Sequence, residues 1–296
     1  MLEFRKLQLG DIGKVRKYFS CSTNRICDNT VGGAFMWRDY FSVEYAEFNE
    51  TVIFKAKVRY HHDITAFSMP LGRDVSGAIS QISEYCRHTG EPLAFCNVTE
   101  GDIATLRSVF TDFRLFKDTN WSDYIYNAVD LVALSGRKYS GKRNHINRFK
   151  MAYGVHSFEE MSEDNLEDVL EFHARSGADV ASNSELFIEE HDKTQEVLEN
   201  FVVYGLFGGL LRVGGLVVAF SVGETINNVL FVHIEKADMR YRGSFQVINN
   251  EFAKRFVSGG VEFINREDDA GDEGLRISKN SYHPCEIIDK YIFLVE

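Results

Sequence analysis

The chain has 296 residues, 44% hydrophobic and 26% charged, with a formal net charge of −11. That length accommodates two domains with their own cores, and only three prolines argue against long linkers or disordered tails. The acidic balance opposes generic nucleic-acid affinity, which needs a positive surface to release counterions. The most apolar run, Phe201 to Val222, is interrupted by Gly205, Gly208, Gly209, Arg212, Gly214 and Gly215, so no integral membrane segment is expected. Met1-Leu2-Glu3-Phe4-Arg5-Lys6 has no apolar leader-like stretch. The five cysteines (Cys21, Cys27, Cys86, Cys96, Cys285) include no CxxC pair. A cytoplasmic chain with reduced thiols and no metal is the expectation.

From the N-terminus, Phe4-Arg5-Lys6-Leu7 reads as a strand leading to a helix near Asp11, striped by Ile12, Val15, Tyr18 and Phe19. Strands follow at Thr51–Ala56 and Ile64–Met69. His61-His62 falls between them, where alternating side-chain directions oppose joint metal ligation. Val75, Ile79, Ile82 and Cys86 stripe a helix that stops at Gly90, and Leu93–Cys96 is a strand. Thr99 and Asp102 have capping-box spacing ahead of Ile103, Leu106 and Phe110. Trp121, Tyr124 and Tyr126 then cluster before an expected strand at Ala128–Val132. Such aromatics suit a domain interface or a substrate channel.

Arg137 to Lys150 carries six Lys or Arg and no acid, including Lys138, Lys142, Arg143 and Arg148. A basic helix over about 140–153 would either offer one face to a phosphate-bearing ligand or be solvated surface. Beyond it, Phe158–Met161 and a helix near Ser162 or Asp164 repeat the order of the first half. Strands are expected at Val202–Phe207, Leu210–Val213, Leu216–Ser221 and Val229–Ile234, then a helix striped by Phe245, Ile248, Phe252 and Phe256, then the strand Val261–Ile264.

Directly after that strand come Asn265, Arg266, Glu267, Asp268, Asp269, Ala270, Gly271, Asp272, Glu273, Gly274, Leu275 and Arg276, continuing to Lys279 and Tyr282-His283-Pro284. Five carboxylates among cations at a strand end can have displaced pKa values, and α/β folds keep chemistry at such places. An acidic loop capping a helix is the plainer explanation.

A repeat of about 150 residues matches a duplicated domain rather than a solenoid. Its order of strand, helices, antiparallel meander, helix and strand is that of a mixed α/β acyltransferase fold of the GNAT type. The expected domains are 1–135 and 136–296, the second carrying the linking basic helix. In acyl-CoA transferases the loop between the last meander strand and the next helix holds a pyrophosphate on backbone N–H groups. Here Arg240 and Gly243 fit that spacing, and bulky Phe245 replaces the last small residue.

The basic run Arg137–Phe149, with Asn265–Lys279 and Tyr282-His283-Pro284, resembles the phosphatidylglycerol lysyltransferase C-terminal-domain family over about residues 20 to 292. That family is a tandem GNAT-fold group similar to Fem-type aminoacyltransferases. The resemblance implies transfer of an aminoacyl group from aminoacyl-tRNA to an amine or hydroxyl acceptor, with no permanently bound cofactor. On that reading Asp268, Asp269 or Glu273 is the base, and Arg266, Arg276, Lys279 and Tyr282 are donors or charge partners. Lys138, Lys142, Arg143, Arg148, Asn265, Trp121, Tyr124, Arg240 and Gly243 are candidates for substrate binding. Membrane-bound members carry a multispanning region that this sequence lacks, which favours a soluble small-molecule or peptide acceptor. A tRNA acceptor stem is the candidate macromolecular partner. An acyl-CoA donor and a non-catalytic ligand-binding module are the alternatives.

Overall fold

The computed structural model describes residues 1–59, 64–178 and 185–296; His61 and His62 lie outside them. The described residues form two compact units. One is Met1–Asp123 with Asp268–Asp272 and Ile287–Glu296, and the other is Tyr124–Glu267 with Glu273–Glu286.

The first unit contains β1 (Arg5–Lys6), α1 (Ile12–Phe19), α2 (Val31–Met36), β2 (Glu44–Phe48), β3 (Thr51–Val58), β4 (Ile64–Ser68), β5 (Leu71–Gly72), α3 (Val75–Thr89), β6 (Ala94–Val98), α4 (Glu100–Arg107) and β7 (Phe113–Lys117). Local sequence explains the helices. Ile12, Val15, Tyr18 and Phe19 are the buried stripe of α1. Asp74 caps α3 by accepting from the Gly77 N–H, and Gly90 ends it at φ +75°, a left-handed conformation that glycine adopts without penalty. Thr99 and Asp102 form the expected capping box on α4.

The second unit is built from β8 (Asp123–Asn127), α5 (Ala128–Ala133), α6 (Ser140–Ala152), β9 (His156–Glu160), α7 (Leu166–Ala178), α8 (Glu185–Glu199), α9 (Phe201–Tyr204), β10 (Phe207–Val213), β11 (Leu216–Ile226), β12 (Val229–Ala237), α10 (Ser244–Phe256), β13 (Phe263–Asn265) and α11 (Glu273–Asn280). The chain closes with β14 (Glu286–Ile288) and β15 (Tyr291–Val295).

Three readings of the sequence change here. Ala128–Val132 is helical: Ala128 and Leu131, three apart, are buried while Val129 is 73% exposed, and the strand lies just before, at β8. Phe201–Tyr204 is likewise a helical turn, burying Phe201 and Tyr204 and ending at Gly205 with φ +55°. In α10 the buried stripe runs through Ser244, Val247, Ile248 and Phe252, leaving Phe245 partly exposed.

The two sheets have the same plan. The first runs β1-β2-β3-β4-β6-β15-β7, and the second, from its opposite edge, β9-β10-β11-β12-β13-β8-β14. Each has one parallel pair at the same place, β4 with β6 and β12 with β13. The strand beside that pair comes from far along the chain in both: β15, the last strand, in the first sheet, and β8, preceding its unit's other strands, in the second. This is a mixed α/β fold of two GNAT-like sheets with exchanged strands, so no single cut separates the units.

The returning strand β15 is central to the first core. Phe293 is fully buried with Phe67, Phe95, Ile79, Ile82 and Leu106, and it stacks on Phe113 at a centroid distance of 4.3 Å. Phe293→Ala is therefore expected to cost about 3–5 kcal/mol, read as a lowered denaturation midpoint of the full chain. A cost under about 1 kcal/mol would show that β15 is peripheral to folding.

Candidate active site in the second unit

β13 is three residues long, and it pairs with Val229–Phe231 of β12 on one side and Ile125–Asn127 of β8 on the other. β12 continues to Ala237. Beyond Asn265 the ladder has lost its middle strand, so side chains can replace backbone there. Arg266 leaves β13 at this point. Its N–H donates to the Tyr124 carbonyl, and its own carbonyl accepts from Lys279 Nζ at 2.6 Å, which fixes the backbone from two sides. Asn265, fully buried, accepts the Glu267 N–H on Oδ1 at 2.6 Å and stabilises the turn, in which Glu267 has φ +59°.

The Arg266 side chain is only 9% exposed. Nη2 donates to Glu235 Oε1 on β12 at 2.8 Å, and the guanidinium lies 4.8 Å from the ring centre of Tyr282 and 5.9 Å from that of Tyr126. Nη1 is buried and has no partner. The other oxygen of Glu235 accepts from Asn249 Nδ2 on α10 at 2.9 Å, and Asn249 Oδ1 is also buried without a partner. An orphaned donor and an orphaned acceptor thus flank one carboxylate. Buried polar groups are rarely left unsatisfied, so such groups mark a place for a ligand or water.

Lys142, in the first turn of α6, completes the constellation. Nζ donates to Ser281 Oγ at 2.6 Å and sits 3.8 Å from the centre of the Tyr282 ring. Burial, then the neighbouring Arg266 charge, pull its pKa down to about 8, against a smaller opposing pull from Glu235. Tyr282 is buried, and the Tyr139 hydroxyl donates to its backbone carbonyl at 3.0 Å. Burial raises the phenol pKa of both Tyr126 and Tyr282, so their rings stay neutral.

The other expected residues fall elsewhere. Lys279 holds the Arg266 carbonyl and lies 5.8 Å from the ring centre of buried Tyr124. Glu273 is exposed on α11, and Arg276 is partly exposed there. Lys138 pairs with Asp130 at 3.1 Å. Arg143 donates to the Leu134 and Gly136 carbonyls, closing the end of α5, and Arg148 is exposed on α6.

The loop before α10 is occupied by its own atoms. Asp238 accepts the Arg240 N–H and grips its guanidinium, while the Tyr241 and Ser244 N–H groups bond to the Asp238 and Tyr241 carbonyls. The Arg240 hydrogen bond is the main cause of the lowered Asp238 pKa, so a negative charge is kept where a pyrophosphate would need amides. Gly243 has φ +98°, and a Cβ there would lie 2.8 Å from the His145 carbonyl oxygen, so this glycine serves the approach of α10 to α6.

Asp268 and Asp269 belong to the first unit, where a different cluster forms. Lys290 Nζ is 2.7 Å from Asp28, 2.8 Å from fully buried Asp123 and 3.9 Å from Asp268, with Cys27 Sγ at 3.5 Å. Cys27, Asp123 and Asp268 place potential metal-ligand atoms within 4.8 Å of one another, and the ammonium already supplies a cation there. Burial opposes that charge, but Asp123 and Asp28 hold the Lys290 pKa well above the usual lysine range. Asp269 is buried and accepts the Gly271 N–H. Trp121, in the same unit, packs edge-on against Phe41.

Sequence reasoning missed Glu235, Asn249 and His233. The available signal was polarity inside an apolar strand: His233 and Glu235 interrupt Val229–Ala237. His233 is fully buried between Glu267 at 2.7 Å and Glu224 at 3.0 Å. Burial opposes its charge, but the two carboxylates outweigh it and push the pKa up to about 9.

The two mixed sheets give the chain an acyltransferase-type fold. Residues 20–294 match the family described as "Phosphatidylglycerol lysyltransferase, C-terminal", and the chain belongs to that family. A crystal structure of a conserved protein of unknown function from Bacteroides thetaiotaomicron is 31% identical, with a TM-score of 0.91 and full coverage of both chains. The C-terminal domain of a protein named as a lysylphosphatidylglycerol synthetase from Agrobacterium fabrum is 12% identical, with a TM-score of 0.68, covering 98% of this chain and 93% of that one. An uncharacterised protein from Mycoplasmoides gallisepticum is 23% identical over 185 residues, which are 59% of this chain and 56% of that relative. Among the described residues no helix is long and apolar enough to cross a membrane.

The two buried clusters make separable forecasts. His233 has a folded pKa raised above 6.5, so its contribution, on the order of 3 kcal/mol, is complete below pH 6.5 and is lost as pH rises through about 9. His173 has the opposite sign: burial lowers its pKa to about 4, so stability falls as pH drops from 6.5 towards 4. Denaturation midpoints of His233→Gln should lose the alkaline slope and keep the acid one. In the first unit, Lys290→Met removes the cation 2.8 Å from buried Asp123 and should cost about 3–5 kcal/mol; an unchanged midpoint would mean that this ion pair does not hold the unit together.

Proposed function

We propose that the chain transfers an aminoacyl group from an aminoacyl-tRNA ester to an amine or hydroxyl acceptor, and that Arg266 receives the charge developing on the ester oxygen. The observation that carries this reading is the unpartnered, buried Arg266 Nη1. As the acceptor attacks, the carbonyl oxygen gains negative charge. A rigid donor in a low-dielectric setting stabilises that charge without reorganising. Rigidity comes from Glu235 on one side of the guanidinium and the Tyr282 and Tyr126 rings beside it.

Asn249 Oδ1 supports the aminoacyl part of the reading. A group with both a carbonyl oxygen and an N–H donor, as an α-aminoacyl ester has, matches one orphaned donor and one orphaned acceptor across Glu235. The loop before α10 supports a donor other than acyl-CoA, because its Arg240, Tyr241 and Ser244 amides and its Asp238 charge are committed internally. The exposed basic side chains of α6, Arg148 and Lys150, offer phosphate contacts to an acceptor stem. Family membership agrees with the reading, since the family's description names a phosphatidylglycerol lysyltransferase.

The test supplies bacterial tRNA charged with labelled amino acids, and ethanolamine or a short peptide as acceptor amine. Arg266→Lys keeps a cation beside Glu235 but moves the donor, and it should lower turnover by about 10²- to 10³-fold with donor binding largely retained. Wild-type protein that binds charged tRNA and never transfers would be a ligand-binding module instead. Transfer from acyl-CoA with no transfer from charged tRNA would overturn the choice of donor.

A further inference from the structure

Transfer to an amine needs a group that removes a proton, and the carboxylates nearest in sequence are committed elsewhere. Glu235 is held by Arg266 and Asn249, and Glu267 by His233. Asp268 lies 3.9 Å from Lys290 in the first unit. Lys142 is placed differently. It is the third residue of α6, where the helix N-terminus disfavours a cation. It also shares the Tyr282 ring with Arg266, at 3.8 Å against 4.8 Å, so two cations compete for one π face.

The groups facing Lys142 can be named element by element. β12 contributes Glu235, the end of β13 contributes Arg266, and the turn after α11 contributes Ser281 and Tyr282. Glu235 is the one carboxylate among these, and its two oxygens already serve Arg266 and Asn249. The surroundings therefore favour the neutral amine, which still donates to Ser281 Oγ and has a lone pair to offer. The depressed pKa agrees with this geometry.

We propose that Lys142 is the proton acceptor of the transfer reaction. As the acceptor nitrogen bonds to the ester carbon, the proton it loses moves to the lone pair of Lys142 Nζ. The tetrahedral intermediate then collapses, the bond from carbon to the ribose oxygen breaks, and Lys142 returns the proton to that oxygen. The products are an amide and a free ribose hydroxyl, and Lys142 is again neutral. The ammonium formed midway lies in the same cluster as Arg266 when the oxyanion is present, so its charge is best tolerated when it forms. This assignment rests on the aminoacyl-transfer reading and adds to it the residue that handles the proton.

The test is the pH dependence of kcat/KM with charged tRNA and ethanolamine, beside an NMR titration of Lys142 in the free protein. Wild-type activity should fall as pH drops below about 8. Lys142→Arg places a fixed charge there and cannot deprotonate near neutrality, so it should lower turnover about 10²- to 10⁴-fold and abolish that limb. Because the larger, planar arginine changes the packing on Tyr282, a second variant is needed. Lys142→Cys, alkylated with 2-bromoethylamine, restores an amine of lower basicity and should return activity with the limb moved to lower pH; wild type treated in the same way controls for the other cysteines. A limb that persists unmoved in both variants overturns the proposal while leaving aminoacyl transfer intact. So does a Lys142 resonance titrating in the ordinary lysine range near 10.4. Wild-type protein that transfers nothing from charged tRNA sinks the functional reading and the proton role with it.

Discussion

The Arg266–Glu235 contact is the constraint on which the second unit's polar interior depends. A guanidinium cannot lose its hydration without a carboxylate partner, and a buried pair is maintained only by good geometry and added hydrogen bonds. Glu235 supplies the carboxylate, and the end of β12, paired with β11 but running past β13, supplies the place for it. The pairing is incomplete in a specific way. Glu235 uses one oxygen on Arg266 and one on Asn249, which leaves Nη1 of the first and Oδ1 of the second unmatched. A core selected for stability alone would satisfy or remove these atoms. Their persistence is the structural basis for placing chemistry here.

Backbone route explains why one sequence motif divides into two clusters. Asn265–Tyr282 reads as a continuous acidic loop, yet Asp268–Asp272 pack with the first unit while Arg266, Glu267 and Glu273–Tyr282 pack with the second. The exchanged strands require the chain to pass between units more than once. Left-handed residues at Glu267, Ala270 and Gly271 turn it at close intervals, with the Ala270 and Gly271 N–H groups donating Asx-type hydrogen bonds to the Asp268 and Asp269 carboxylates. The density of acids in this segment therefore reflects two jobs, turning the backbone and pairing with cations on separate elements.

Much of the fold was legible because helix stripes and caps are local. Ile12 to Phe19, Asp74 to Gly90 and Thr99 to Asp102 behave as their spacing indicates. The basic helix and its Lys142 were also visible. Ala128–Val132 and Val202–Tyr204 were misread because β-branched residues suggest strands, whereas burial at three-residue spacing with exposed valines between decides for helix. Glu235, Asn249 and Lys290 could not be assigned roles from sequence. Glu235 meets Arg266 31 positions on, Asn249 meets Glu235 14 positions back, and Lys290 meets Asp123 far back in the chain, contacts made by sheet order and strand exchange. The repeat itself was readable in element order. The swap of β8 and β15 was not, because each of these strands has the alternation of an ordinary sheet strand and nothing local says which sheet it joins.

The two clusters also show what separates a closed site from an open one. Around Lys290 one ammonium lies within 4 Å of Asp28, Asp123 and Asp268. Around Tyr282 one guanidinium, Arg266, meets one carboxylate, Glu235, beside the Lys142 amine. The first arrangement already contains the ion it attracts. The second keeps a spare N–H donor, Arg266 Nη1, in a low-dielectric interior, where an incoming oxygen that gains negative charge is stabilised more strongly than in water. Similar residue types thus give opposite outcomes, and the difference lies in whether the cation's donors are already committed to carboxylates rather than in how many charges are present.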